Sequence, residues 1–205
     1  MTTPRPRLNR ETALAVLDAA GFPSGPFTTN TGITTNFDVV FVAVATAESS
    51  LFIDAQGPPN PDGTIDYGFI QINSRHGFDS ARLLSDAAYT AACGLQILLQ
   101  QGVRAWAAYA VAQNGAYPYA RWMPPGLGGP DLAPGSSGDM VRSLQTFLNT
   151  QPTTTTPLEV DGGWAASTTS PTGQAVKAWK VKNFNDGSVN VNGRTWAAMG
   201  KRGLR

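Results

Sequence analysis

Two carboxylates offer the clearest chemistry in this sequence. Glu48 is the sole acid between Asp38 and Asp54, and it closes the almost wholly apolar run Asp38-Val-Val-Phe-Val-Ala-Val-Ala-Thr-Ala-Glu48. A carboxyl at the end of such a run either faces water or is held against apolar walls. In the second case desolvation disfavours the charged form and raises the pKa, as a general acid near neutral pH requires. Asp66 lies eighteen positions on, between Ile65 and Tyr67, whose side chains an extended backbone sends to the opposite face. A helix end followed by a hairpin can bring two such groups to opposite sides of one cleft. Cleavage of a glycosidic bond uses that arrangement: one carboxyl protonates the leaving oxygen, while the other is the nucleophile or activates water. Spacing alone leaves the pair a candidate, because aspartates are also common in turns.

Other chemistries are excluded by composition. The chain has one cysteine and one histidine, so it forms no intrachain disulfide, no four-cysteine zinc site and no zinc centre built on two or three histidines. No metal or cofactor is expected. Cys93 sits in Ala91-Ala-Cys-Gly-Leu-Gln-Ile97 with nothing electropositive around it, and reads as a buried thiol rather than a nucleophile activated by His76. Asn60-Pro-Asp-Gly-Thr-Ile-Asp66 lacks the alternating acids and terminal glutamate of a calcium loop, and reads as a turn. No glycine loop of nucleotide-binding type appears. The formal net charge of +1 argues against nucleic acid or an acidic membrane as partner. The longest apolar run, about a dozen residues, is too short for membrane insertion. No apolar stretch of signal-peptide length follows the basic start, so the protein is expected to begin in the cytoplasm.

The elements that must position the carboxylates follow from caps and breakers. Asn9 caps a helix over 9–22 that ends at Gly21-Phe-Pro23, and Thr28 to Asn36 reads as a loop. Asp38–Glu48 has the length and alanines of a helix, capped by Asn36 or Asp38, although its β-branched residues leave a buried strand open. Thr64–Tyr67 alternates like a short strand, and Gly68 suits a bulge or a close backbone approach. Helical patterns follow around 84–101 and 103–112. The Pro/Gly-rich stretch Pro124–Gly138 separates the chain into a region of net charge −2 and one of +3, read as domains 1–125 and 132–205 with a linker over 126–137. The fold class is α+β, mostly α, with one small antiparallel hairpin in the first domain.

Glu48-Ser49 followed by Asn60-Pro-Asp-Gly-Thr-Ile-Asp66-Tyr-Gly-Phe-Ile-Gln71-Ile-Asn73-Ser-Arg75 resembles the core of animal-type lysozymes and the lysozyme-like domains of phage endolysins and tail proteins. Leu83-Leu-Ser-Asp86, Ala105-Trp106-Ala-Ala-Tyr109 and Asn114-Gly-Ala-Tyr117 continue the likeness, which spans 40–122. The resemblance implies that Glu48 is the acid and Asp66 the nucleophile or stabiliser. It further implies that Trp106 packs on the acid, that Gln71 and Asn73 present amides to the sugar, and that Tyr67, Tyr109, Asn114 and Tyr117 help to bind substrate. Two departures stand out: no disulfide braces this chain, and the two carboxylates are one residue further apart than in the animal pattern. A lytic transglycosylase, which needs one glutamate and leaves an anhydro sugar, therefore stays open, as does a non-catalytic wall-binding or virion protein.

Gly138-Asp-x-Val-x-x-Leu-Gln145, Val160-Asp-Gly162, Ala175-Val-Lys-x-Trp179 and Asn192-Gly-x-Thr-Trp196 resemble the three-helix peptidoglycan-binding domain of many wall hydrolases. That likeness nominates Asp161, Trp164, Trp179 and Trp196 as wall-binding residues. Together the two resemblances imply a monomeric muramidase of phage-endolysin type, acting on peptidoglycan glycan strands. Such an enzyme would stay in the host cytoplasm until a separately encoded membrane pore released it, or travel on a virion.

Overall fold

In the computed structural model, which describes residues 4–125, 131–200, 202 and 204, the chain divides into two units, Met1–Met123 and Pro124–Arg205. The architecture is α+β and mostly helical. Residues 126–130 of the expected linker lie outside the described residues.

In the first unit Asn9 caps α1 (Arg10–Ala20) by accepting the Thr12 N–H, and Gly21 ends it in the left-handed region at φ 92°. The stretch read as a Thr/Asn loop is instead a hairpin of β1 (Pro26–Thr28) and β2 (Thr34–Asn36). No apolar alternation marks it, because of the two residues that turn inward, Phe27 and Thr35, only Phe27 is apolar, edge-on to Phe37 at 5.0 Å between centroids. The apolar run is the helix α2 (Phe37–Ser49), with every residue from Val40 to Ala45 fully buried. A helix buried on all sides loses its polar stripe, which is why periodicity could not separate it from a strand. Phe41 joins this core to the rest of the unit, with Phe22 at 4.6 Å and the Trp106 ring edge-on at 4.7 Å.

A second hairpin pairs β3 (Asp66–Tyr67) with β4 (Ile72–Asn73), in the register Asp66↔Asn73 and Tyr67↔Ile72. Its buried tip, Gly68–Ile70, is tied down by three neighbours. The Ser49 hydroxyl donates to the Phe69 carbonyl at 2.6 Å, the Trp106 indole N–H to the Ile70 carbonyl at 2.7 Å, and the Gln71 amide to the Gly68 carbonyl at 2.9 Å. α3 (Ser80–Leu83) and α4 (Ala87–Gln101) follow; Asp79 and Asp86 cap them, and Cys93 is buried on α4. The helix expected over 103–112 is broken into a 3-10 turn, Val103–Ala105, and the single turn α5 (Ala107–Ala110). Trp106 between them is extended (φ −97°, ψ 125°), the conformation that delivers its indole to Ile70.

The second unit is built on α6 (Asp139–Asn149), α7 (Pro171–Phe184) and α8 (Gly193–Gly200). Val141, Leu144, Phe147 and Leu148 form the buried face of α6, as their spacing demands. The unit begins before α6. Leu132, where the expected linker and second domain overlap, pairs its backbone with Val191 and is buried in the core, and Ser137 pairs with Gly163. Buried Lys180 is neutralised by Asp186 at 2.8 Å and donates to the Asn190 carbonyl. That ion pair holds the Asp186 carboxyl down at about 2.

Candidate active site

α2 leaves the core at its C-terminal turn, so Glu48, on that turn, reaches a surface while still half-buried. The chain then reverses through Ser50 (φ 57°) and Leu51 (φ 63°), both left-handed without being glycine. Side chains other than glycine adopt that region rarely, and here Ser49 holds it by accepting the Leu51 N–H at 3.0 Å. Glu48 opens into a groove of about 490 Å³ also lined by Asp66, Gln71, Asn73 and Trp106. Its Oε1 accepts the Ala108 N–H at 2.8 Å. Burial raises the Glu48 pKa above the usual carboxyl value of 4.5; the Ala108 N–H pulls against that, and the charge of Asp66 adds to it. The group therefore keeps its proton to higher pH than a free glutamate.

Asp66 is held differently. Asn73 Nδ2 donates to Oδ1 at 2.8 Å and Asn60 Nδ2 to Oδ2 at 3.2 Å. The second hydrogen of each amide goes to one acceptor, Thr64 Oγ1, at 2.9 and 3.1 Å, and that hydroxyl donates to Asp62 at 2.6 Å. Arg75 completes the set by bridging Asp62 at 3.3 Å and donating to Asn73 Oδ1 at 3.0 Å. Amide donors on both oxygens fix the plane and position of the carboxylate against the groove.

The groove gathers five of the nine residues expected at a catalytic or substrate site: Glu48, Asp66, Gln71, Asn73 and Trp106. The remaining four line it nowhere. Tyr67 follows Asp66 in an extended strand and so points to the other face. Tyr109 is buried in a ring cluster, stacked on Tyr119 at 5.1 Å, because a large ring one residue beyond Ala108 turns into the core. Asn114 sits at φ 51° in an exposed turn closed by Gln113 and Ala116, and Tyr117 lies half-buried beside Tyr119. Asn73 and Gln71 are also more committed than expected. The amide hydrogens of Asn73 serve Asp66 and Thr64, and the amide nitrogen of Gln71 serves the backbone, so neither side chain has an N–H left to donate to a sugar. Trp106 spends its indole N–H on Ile70.

Sequence reasoning missed Asn60, Thr64 and Ala108. The first two belong to the stretch read as a turn, and the turn residues carry a second role as donors and relay. Ala108 acts through its backbone, which no side-chain pattern can show. Among the described residues no group of three or more His, Cys, Asp or Glu is placed to hold a metal ion.

In the second unit, Trp164, Trp179 and Trp196 are 2%, 1% and 7% exposed and belong to the core rather than to an open binding face. The unit has few other large side chains, so burying the indoles is what closes its core. Asp161 is exposed, but its carboxylate accepts from the Gly163 N–H and the Gln145 amide, which lowers its pKa and shapes the loop. Asp161 and Trp164 do border a shallow groove of about 510 Å³ with Ser136, Ser137 and Gln145.

No protein-family model matches the chain. Lysozyme X of Drosophila melanogaster is 34% identical to it over 95 residues, a match that takes in 39% of this chain and 67% of the fly protein. With that share of a lysozyme matched, and two carboxylates meeting in one groove, the chain belongs to the lysozyme family.

Proposed function

We propose that this chain is a muramidase that hydrolyses the β-1,4 bond between N-acetylmuramic acid and N-acetylglucosamine in peptidoglycan, with Glu48 as general acid. The observation that carries the reading is a half-buried glutamate, raised in pKa, sharing a groove with a second carboxylate gripped on both oxygens. Glu48 protonates the departing glycosidic oxygen as the bond breaks. Asp66 meets the oxocarbenium centre as nucleophile or as a fixed negative charge, and water, activated by the now ionised Glu48, completes the reaction. Preorganisation matters more than charge alone, since a carboxylate already locked by Asn60 and Asn73 does not reorganise when positive charge develops.

The rival is a lytic transglycosylase, in which Glu48 works alone and the muramic acid 6-hydroxyl closes an anhydro ring. The Asn60–Thr64–Asn73 framework favours hydrolysis, because a bystander needs no such mounting. Mass spectrometry of digested peptidoglycan separates them: reducing ends are expected, and 1,6-anhydro ends overturn the hydrolase. Asp66→Ala is expected to cut turnover by about 10²–10³-fold. A variant within about threefold of wild type overturns the role of Asp66.

For the second unit the reading is a wall-binding module using the groove beside Asp161 and Trp164. Tethering would raise the local concentration of the first unit at an insoluble substrate. A chain ending at Met123 is then expected to keep activity on soluble glycan oligomers but to lose most of its sedimentation with purified walls; equal sedimentation overturns the module. The setting that fits is a monomeric endolysin, released to the wall through a separate pore, or a virion-borne lysin.

A further inference from the structure

The single turn α5 (Ala107–Ala110) cannot satisfy its own backbone. A helix leaves its first N–H groups and last carbonyls without internal partners, and one of four residues is nearly all end. Its N-cap residue, Trp106, offers no side-chain cap, and the Ala108 N–H in its first turn goes to Glu48 instead. What holds it lies on either side. At its start, Trp106 is pinned through the indole to Ile70. At its far side, Asn30 Nδ2 donates to the Tyr109 carbonyl at 2.8 Å, and the Asn30 backbone N–H donates to the Tyr109 hydroxyl at 3.0 Å. The remaining polar atom of that side chain, Oδ1, accepts the Tyr119 hydroxyl at 2.6 Å.

Asn30 thus spends three groups on two buried tyrosines, which are 4% and 1% exposed. It stands in the turn between β1 and β2, and that turn is itself built before Asn30 reaches out. The Thr29 N–H donates to the Ile33 carbonyl at 2.8 Å, and the Thr29 hydroxyl accepts the Ile33 N–H at 3.1 Å. Phe27 on β1 adds a ring contact to Tyr109 at 6.1 Å. The hairpin without apolar alternation therefore delivers one polar anchor to the back of the turn whose front touches the acid.

We infer that Asn30 is a positioning residue for Glu48: by gripping Tyr109 at its carbonyl and hydroxyl, it fixes the Ala108 N–H on which the Glu48 carboxyl rests. This rests on the reading of Glu48 as the acid. The direction of the effect follows from what faces that carboxyl. Asp66 stands across the groove, and Asp62, Arg75 and His76 line it further along; none of them touches α5 by hydrogen bond. The Ala108 N–H is the contact that opposes burial, so loosening α5 leaves the carboxylate form less supported and raises the pH at which Glu48 gives up its proton.

The test uses the full chain with its glutamates labelled at the carboxyl carbon. There are three, Glu11, Glu48 and Glu159, and the signal lost in Glu48→Gln identifies the one of interest. In Asn30→Ala the Glu48 titration midpoint is expected to rise above that of wild type. The kcat on peptidoglycan is expected to fall about three- to tenfold, with KM within about twofold and the basic limb of the pH profile moved the same way. Tyr119→Phe keeps the ring stack and removes only the hydroxyl that aims the Asn30 amide, and should shift the midpoint in the same direction by less. An unmoved midpoint in folded Asn30→Ala overturns the inference. If that variant does not fold, an unmoved midpoint in Tyr119→Phe does so. Loss of this inference with Glu48→Gln still inactive leaves the acid assignment standing. Wall clearing by Glu48→Gln removes the assignment itself.

Discussion

Turnover of peptidoglycan falls by about 10²–10⁴-fold when Glu48 becomes glutamine, while binding to purified walls is unchanged. Glutamine keeps the shape and the oxygen that accepts the Ala108 N–H, so the substitution takes away the transferable proton and little else. Turbidity clearing and release of reducing ends are the measurements, and clearing at wild-type rate would show that another group supplies the proton. A second consequence separates this from damage to the fold. Burial holds the Glu48 pKa above 4.5, so from that value up to the folded-state pKa the native chain binds more protons than the unfolded one, and stability falls as pH rises. Beyond the folded-state pKa the ionised carboxylate carries its full penalty. Glu48→Gln removes that penalty, and is expected to melt higher than wild type near neutral pH and to match it once the pH drops below the ordinary carboxyl value. A variant that is both inactive and less stable at neutral pH would mean that the residue is structural.

The second large effect falls on the fold that carries the site. Gly68 begins the buried tip of the second hairpin at φ 76°, and a Cβ there would stand 2.5 Å from the Leu83 carbonyl oxygen and 2.9 Å from Thr90 Cγ2. The oxygen cannot step aside freely, because it already accepts the Thr90 hydroxyl at 3.0 Å. Left-handed backbone costs an L residue about 1–2 kcal/mol, and overpacking adds about 1–3 kcal/mol. Gly68→Ala should therefore lose about 2–5 kcal/mol, a large share of the stability of a domain this size. The same tip receives Ser49 from behind Glu48 and Trp106 from before α5, so the groove should lose its order along with the hairpin. Chemical denaturation followed by tryptophan fluorescence measures the loss. A cost below about 1 kcal/mol would mean that the hairpin tip and the Leu83 turn are not packed as closely as described.

What could be read without coordinates was whatever a residue decides with its immediate neighbours. Asn9 and Gly21 bracket α1, the Asn60–Gly63 turn forms, Gly68 takes the close approach, Cys93 is buried in the core, and the α6 face buries Val141, Leu144 and Leu148. Each follows from a backbone preference or a period of a few residues. Glu48 was legible as the sole acid between Asp38 and Asp54. Asp66, the third aspartate from 54 to 66, was picked out by a spacing that suits a helix end and a strand and by the lysozyme-like motif around it.

What only the tertiary structure decided is which partner each versatile group takes. Asn73 and Gln71 could face a sugar as well as a neighbour, and packing assigns them to Asp66 and to the backbone of Gly68. Tyr109, Trp164, Trp179 and Trp196 could stack on a ligand, but small units with few large side chains gain more by burying those rings. The Ala108 N–H meets Glu48 across sixty positions, and Asn30 meets Tyr109 across seventy-nine. An amide, a ring or a peptide N–H carries no mark of its distant partner; that choice is made when the whole core closes and every buried donor and acceptor has to be satisfied at once.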